Sequence, residues 1–218
     1  MADIIDLVPE TLSERSGKEK ASYCIGLEAG NSIRMQFSDM DIQLLKTGFE
    51  DAIKRNRPRV TESEFQNIMN SVKQQVQAQQ KAFVSQLAQK NRKQGEEFLE
   101  QNKQKEGVQD TASGLQYKVL TEGSGDKPHL TDAVKVHYKG TFIDGTMFDS
   151  SYERGEPATF PVDRVIAGWS EALQLMTVGS KFQIFVPGYL AYGEAGFAPH
   201  IEPNKVLCFE MELLEINP

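Results

Sequence analysis

Apolar positions change their period partway along the chain. They recur at three and four residues through the first hundred or so positions and alternate beyond Leu115, so helices are expected first and strands after. Residues 1 to 20 read as a mobile polar lead-in. A short helix with more than one buried face is expected from Ala21 to about Met35, on Tyr23, Ile25, Leu27, Ala29 and Ile33. A second is capped by Ser38 and Asp41, carries Ile42, Leu45, Phe49 and Ile53 on one face, and ends at Arg57-Pro58. A third starts at the Thr61/Glu64 capping box with a stripe of Phe65, Ile68, Met69, Val72 and Val76. The stripe then thins to Phe83, Val84, Leu87, Phe98 and Leu99, but Gln, Lys, Glu and Ala favour continuation to Lys105, with Gly95 as the weak point. Such a rod would be about 65 Å long.

A rod that is apolar only over its first third cannot be buried along its length. Three short apolar faces make a poor core for one chain alone. The pattern therefore predicts that residues 1–80 pair with a second copy in an intertwined homodimer, rather than forming a small monomeric helical domain.

Glu106-Gly107-Val108 closes the rod, and the period then becomes two. Strands are expected at Leu115–Leu120, Ala133–Ile143, Lys181–Val186 and Val206–Ile216, with Asp144-Gly145 as a hairpin turn. The segment Val165-Ile166-Ala167-Gly168-Trp169 brings two β-branched residues and the single tryptophan to the start of a short helix, where Gly168 lets the backbone turn tightly. The fold class is α+β: an all-helical N-terminal dimerisation region (1–60), a long connecting helix (61–106), and an antiparallel sheet wrapped on a short helix (107–218).

Charge narrows the partners. The formal net charge of −7 arises in the second half: residues 1–106 hold 16 acidic and 16 basic side chains, residues 107–218 hold 15 and 8. Neither half has the basic excess that nucleic-acid binding rewards. No apolar run is long enough to span a bilayer. Cys24 and Cys208 are far apart and suggest neither a metal site nor a disulfide framework. Gly193-Glu194-Ala195-Gly196 lacks the Lys-Ser/Thr of a phosphate loop. No cofactor is expected. The N-terminus lacks a basic start and apolar core, which favours the cytoplasm, with periplasm or outer membrane as the alternative had a leader been removed.

Five segments punctuate the second half: Val136-His137-Tyr138-Lys139-Gly140, Gly145-Thr146-Met147-Phe148-Asp149-Ser150-Ser151, Val165 to Trp169, Ala191-Tyr192-Gly193 and Cys208-Phe209-Glu210. In this order and spacing, from about Gly114 to Ile216, they resemble the FK506-binding-protein family of peptidyl-prolyl cis-trans isomerases. The helical first half, with Ala21-Ser22-Tyr23-Cys24-Ile25-Gly26-Leu27 and the polar rod, resembles the family's dimeric bacterial Mip-like branch.

The resemblance implies an apolar pocket in which a substrate proline ring lies over Trp169, walled by Tyr138, Phe148 and Phe209 with Val165 and Ile166. It implies that the Ile166 N–H and the Tyr192 hydroxyl hold substrate acceptors, and that Asp149 accepts from Tyr138 and Arg154. Asp149, Tyr192 and Trp169 are then the catalytic residues, and proline-containing unfolded chains and FK506- or rapamycin-like molecules the ligands. Read without the resemblance, Phe148, Val165, Ile166 and Phe209 are plain core, Asp149 before Ser150-Ser151 a turn or cap residue, and His137 a strand residue without chemistry. Two departures from the family pattern stand out: Ala158, where an aromatic wall is common, and His200 in the loop before Phe209.

Rotation about a prolyl bond breaks amide resonance, a barrier of ~18–20 kcal/mol. No covalent step is required. The expected function is isomerisation by desolvation and transition-state binding, with chaperone activity from a V-shaped dimer. The alternative is a holding chaperone whose isomerase activity is incidental.

Overall fold

A computed structural model describes residues 12–37 and 39–218, and these divide into two units, one ending at Ala78 and the other Gln79–Pro218. In the first unit a 3-10 turn at Leu12–Glu14 leads into α1 (Gly17–Gln36). The helix starts four residues ahead of the Ala21 expected from apolar spacing, because Ser16 and Glu19 form a capping box: Glu19 N–H donates to Ser16 Oγ (3.4 Å) and Ser16 N–H to Glu19 Oε2 (2.9 Å). The polar lead-in is thereby shortened, and its first eleven residues lie outside the described ones.

Helix α2 (Ile42–Lys54) is capped by Asp41, which accepts from Gln43 N–H (2.9 Å) and Leu44 N–H (3.0 Å); Ser38, expected to share this role, lies outside the described residues. Arg55, left-handed at φ 57°, closes it ahead of Arg57-Pro58. Helix α3 (Glu62–Asn102) opens at the Thr61/Glu64 box, with Thr61 N–H on Glu64 Oε2 at 2.9 Å and Glu64 N–H on Thr61 Oγ1 at 3.2 Å. No described residue of α1 or α2 is buried. Ile33, Ile42, Leu45, Phe49 and Ile53 line an open apolar groove of about 490 Å³ between those two helices. No described helix is long and apolar enough to cross a membrane.

The second unit holds the end of α3 and a seven-stranded antiparallel sheet. Its elements are β1 (Val108–Asp110), β2 (Gln116–Thr121), β3 (Ala133–Phe142), β4 (Met147–Ser150), α4 (Ser151–Arg154), β5 (Ala158–Pro161), α5 (Ala167–Leu175), β6 (Lys181–Val186) and β7 (Leu207–Ile216). The strand order is β1-β2-β6-β7-β3-β4, and β5 pairs with the start of β3 on the edge that also carries β4, opposite β7. The four expected strands are present within a residue or so of their expected ends, while β1, β4, β5 and α4 are additional. Each of these is only three or four residues long, too short to declare a period.

One face of the sheet packs on α5. Val134, Val136 and Tyr138 of β3, Phe182, Ile184 and Val186 of β6, and Phe209, Met211 and Leu213 of β7 meet Trp169, Ala172, Leu173 and Met176 in a single buried core. Those four positions, at spacings of three, one and three, form one helical face. Gly168 serves the packing rather than a tight turn: a Cβ there would stand 2.4 Å from Val186 Cγ1.

The opposite face receives the end of α3. Phe98 tilts against Phe185 (5.9 Å between ring centres), and buried Asn102 donates to Gln116 (2.9 Å). Gly95 is buried, and a Cβ on it would fall 2.6 Å from Val206 Cγ2. The residue expected to weaken the helix is therefore a point where it packs closely against Val206. The compact unit begins at Gln79, upstream of the change of period near Gly107.

Candidate active site

Trp169 forms the floor of a hollow on the α5 face. The indole is 5% exposed, and three rings stand nearly perpendicular to it: Tyr138 (5.0 Å, 80°), Phe209 (5.1 Å, 81°) and Phe160 (5.7 Å, 87°). Edge-on contact suits the ring quadrupoles, and the indole lines the hollow together with these rings. Phe148 extends the wall, edge-on to Phe209 at 5.6 Å and backed by Phe142 at 5.0 Å. The cavity measures about 420 Å³ and is completed by Asp149, Arg164, Val165, Ile166 and Tyr192. That is within the size range of small-ligand sites, ~300–1,000 Å³.

Local sequence explains the placements. Residues Tyr138, Gly140 and Phe209 come from adjacent strands in register, Tyr138 opposite Met211 and Gly140 opposite Phe209. A Cβ on Gly140 would lie 2.6 Å from Phe148 Cζ and 3.0 Å from Phe209 Cε1, so only glycine lets both rings sit against the strand. Ser150 caps α4, accepting from Glu153 N–H (3.4 Å), and that single turn returns Arg154 to Asp149. Ser151 is wholly buried and ties down β3, accepting from Tyr138 N–H at 2.8 Å. The paired serines are structural.

Electrostatics concentrate at one wall. The Tyr138 hydroxyl donates to Asp149 Oδ2 (2.6 Å) and accepts from Arg154 Nη2 (2.8 Å), while Arg154 Nη1 donates to Asp149 Oδ1. The guanidinium also lies 5.4 Å from the Tyr138 ring centre. Burial pushes the Asp149 carboxyl up, but hydrogen bonds from Tyr138 and Arg154, with the Arg154 charge, leave it below the ordinary carboxylate range. Burial and then Asp149 push the Tyr138 phenol up, and the same two causes in the same order raise Tyr192. The carboxylate is thus ionised and the phenols are neutral donors at neutral pH.

Two groups at the cavity keep unused donors. The Ile166 N–H, ahead of α5, donates to no acceptor among the described residues, although its carbonyl accepts from Trp169 N–H (2.9 Å) and Ser170 N–H (3.1 Å). The Trp169 Nε1–H is buried and likewise without a partner. Tyr192 leans on Phe197 at 5.3 Å.

All nine residues singled out from the sequence converge here: eight line the cavity, and Arg154 stands behind Asp149 and Tyr138. Two were missed. Phe160 supplies an aromatic wall two residues beyond Ala158 on the same inward side of β5, and Arg164 lies at the rim. Phe160 stands two positions from Ala158, but a four-residue strand carries too little alternation to mark it; for Arg164 the signal was its place immediately before Val165. His200 does not line the cavity; its N–H instead closes a turn on Phe197 O (3.0 Å). His137 stacks on Tyr152 at 4.5 Å, also outside it.

Comparison with known proteins gives the family. Residues 125–214 match the family profile described as FKBP-type peptidyl-prolyl cis-trans isomerase, and residues 18–119 match the domain amino terminal to it. The chain is 46% identical over 210 residues to the FKBP-type peptidyl-prolyl cis-trans isomerase FkpA of Aeromonas hydrophila, covering 93% of this chain and 78% of that one. It is 43% identical over 198 residues to the FKBP-type 22 kDa peptidyl-prolyl cis-trans isomerase of Escherichia coli, covering 90% and 94%. The crystal structure of FkpA from Escherichia coli superposes with a TM-score of 0.76 at 35% identity, over 94% of this chain and 98% of that one. With a helical region ahead of an antiparallel sheet, and aromatic walls around a lone indole, the chain belongs to the FKBP-type peptidyl-prolyl cis-trans isomerases.

Proposed function

We propose that the isomerase works by drying and shaping, with no covalent step. The observation that carries this reading is the box of rings around Trp169: one strongly polar corner, three edge-on aromatic contacts and a volume fit for a prolyl residue. The planar amide is more dipolar than the twisted one, so removing water raises the ground state relative to the transition state. In this reading Trp169 carries the pyrrolidine ring and Tyr138, Phe148, Phe160 and Phe209 hold its edges. The Ile166 N–H and Tyr192 hydroxyl take substrate carbonyls, and Asp149, fixed by Tyr138 and Arg154, sits near the twisting bond. Lowering the barrier by about 7 kcal/mol corresponds to roughly 10⁵-fold acceleration. A protease-coupled assay on X-Pro peptides tests the roles: Tyr192→Phe and Trp169→Leu should lower kcat/KM while the fold is retained, and unchanged turnover in both would remove the pocket from the mechanism.

The apolar faces of α1 and α2 support a homodimer through residues 1–80, since Ile42, Leu44, Phe49 and Ile53 are exposed in the single chain. Patches of this kind mark association surfaces. Two linked pockets raise the effective concentration of catalyst near one unfolded, proline-containing client, which is the basis for chaperone action. Phe49→Glu should give monomers in sedimentation velocity; a persisting dimer would place the interface elsewhere. The same exposed faces favour a second reading, in which they hold clients directly and isomerisation is incidental. A dimer that covers them leaves less apolar surface for a client. A Trp169→Leu variant that still suppresses aggregation as a dimer would support holding. For compartment we propose the cytoplasm, where the exposed Cys24 thiol stays reduced; fractionation decides it against the periplasm or outer membrane.

A further inference from the structure

We propose that Asn91, on α3, is a positioning residue for the active site: it anchors the loop between β6 and β7 that carries Tyr192. All the groups involved belong to the second unit. The inference rests on the reading of Tyr192 as a substrate-binding wall.

Asn91 is the first link. Polar and helical, it is nevertheless only 3% exposed, and its amide donates to Glu202 Oε2 (3.0 Å) and to Pro203 O (2.9 Å), more than a hundred residues away in sequence. A buried amide with two long-range acceptors is a fixed contact, since leaving either acceptor unpaired is costly. Lys205 also pairs with this carboxylate, its Nζ 3.3 Å from the same Oε2.

From there the restraint reaches the cavity by short steps. Asn204, left-handed at φ 55°, donates its N–H to Gly193 O (2.7 Å), next to Tyr192, and its side-chain amide reaches Ala88 O on α3 (3.4 Å). Ile201 and Phe197 exchange backbone hydrogen bonds of 2.7 and 2.8 Å, and Phe197 supports the Tyr192 ring. One turn along α3 from Asn91, Gly95 makes room for Val206, immediately before β7. The helix thus grips both the loop's turn and its exit. Nothing in α3 lines the catalytic cavity, so its effect is on where Tyr192 stands.

The test uses the full chain. Asn91→Leu keeps the volume and removes the donor. KM for an X-Pro peptide should rise about fivefold with kcat within twofold. By amide hydrogen exchange, Phe197, Ile201 and Asn204 should exchange at least tenfold faster, while amides of β3 and β7 keep wild-type protection. The pair Asn91→Asp with Glu202→Gln restores one hydrogen bond with its polarity reversed and should recover part of the KM lost in Asn91→Asp alone. Tyr192→Phe is the control: if it leaves KM unchanged, the reading of Tyr192 fails, whereas if it raises KM and Asn91→Leu does not, the positioning role fails alone. An Asn91→Leu protein in which loop and sheet amides loosen together would overturn the inference as well.

Discussion

Gly140→Ala tests whether the aromatic box is rigid enough to work as described. The new Cβ would lie 2.6 Å from Phe148 Cζ and 2.7 Å from Cε2, closer than real Cβ atoms approach, and 3.0 Å from Phe209 Cε1, tighter than most such contacts. Restoring ordinary van der Waals distance requires the Phe148 ring to move by about 0.8 Å. That ring is backed by Phe142 and braced by Phe209, and Phe209 stands on Trp169, so displacement passes directly into the floor of the cavity. Overpacking costs about 1–3 kcal/mol, and the stiffer unfolded chain returns ~0.4–1. Net destabilisation should therefore be modest, roughly 0–2.5 kcal/mol from these two ranges. Turnover should suffer more: geometric errors near 1 Å can cost up to ~10²-fold, so kcat/KM on X-Pro peptides should fall roughly 10- to 100-fold. Protease-coupled kinetics and thermal melts on one preparation separate the two effects. Wild-type kcat/KM together with a wild-type melt would show that the walls yield without consequence and would refute the claim of a preorganised box.

Other outcomes follow from the same contacts. Asp149, its folded pKa depressed, contributes stability that is fully present above the ordinary carboxylate pKa of ~3.9 and lost as pH falls through the lowered value; Tyr138 and Tyr192, both raised, stay protonated past their usual range. The kcat/KM profile should accordingly be flat from about pH 5 to 9, and a bell centred near 7 would contradict the assignment. Residues 79–218 alone should keep peptide turnover yet refold a proline-limited protein more slowly than the full chain. A cut at Gly107, which removes Asn91, Gly95 and Phe98, should weaken even peptide turnover, and equal peptide kinetics for the two truncations would argue against the helix as part of the catalytic unit. Burial pushes the Cys208 thiol up to about 12, with Lys105 pulling weakly the other way, so a thiol reagent should find Cys208 only on unfolding; rapid native labelling at Cys208 would contradict this.

Long elements were legible in the sequence because period is a collective signal. Strand β6 starts and ends where alternation placed it, and α3 starts at its capping box, though it ends at Asn102, short of the expected Lys105. Beginnings set by a single side chain were less so: Ser16 starts α1 before any apolar stripe appears, and Asp41, expected beside Ser38 in a capping box, is itself the N-cap of α2. The site was readable through its spacing along five segments, but the reason for Gly140 was not, since it depends on two rings arriving from β4 and β7. Gly95 and Gly168 were assigned conformational roles that belong to packing, because a sequence does not reveal which atom stands opposite a missing Cβ. The grip of α3 on the sheet unit was hidden for the same reason: Asn91 sits among solvent-facing Gln and Lys residues, and only the fold brings Glu202 and Pro203 to it.

The central claim is that rotation is eased by an environment, with no proton in flight and no bond made. A solvent deuterium isotope effect on kcat/KM for an X-Pro peptide, measured across the flat region of the pH profile, tests it most directly. The account predicts a ratio close to 1, unchanged between wild type and Asp149→Asn even as the absolute rate falls. A ratio of about 2 or more that disappears in Asp149→Asn would mean that the carboxylate moves a proton in the rate-limiting step, and the account would be wrong.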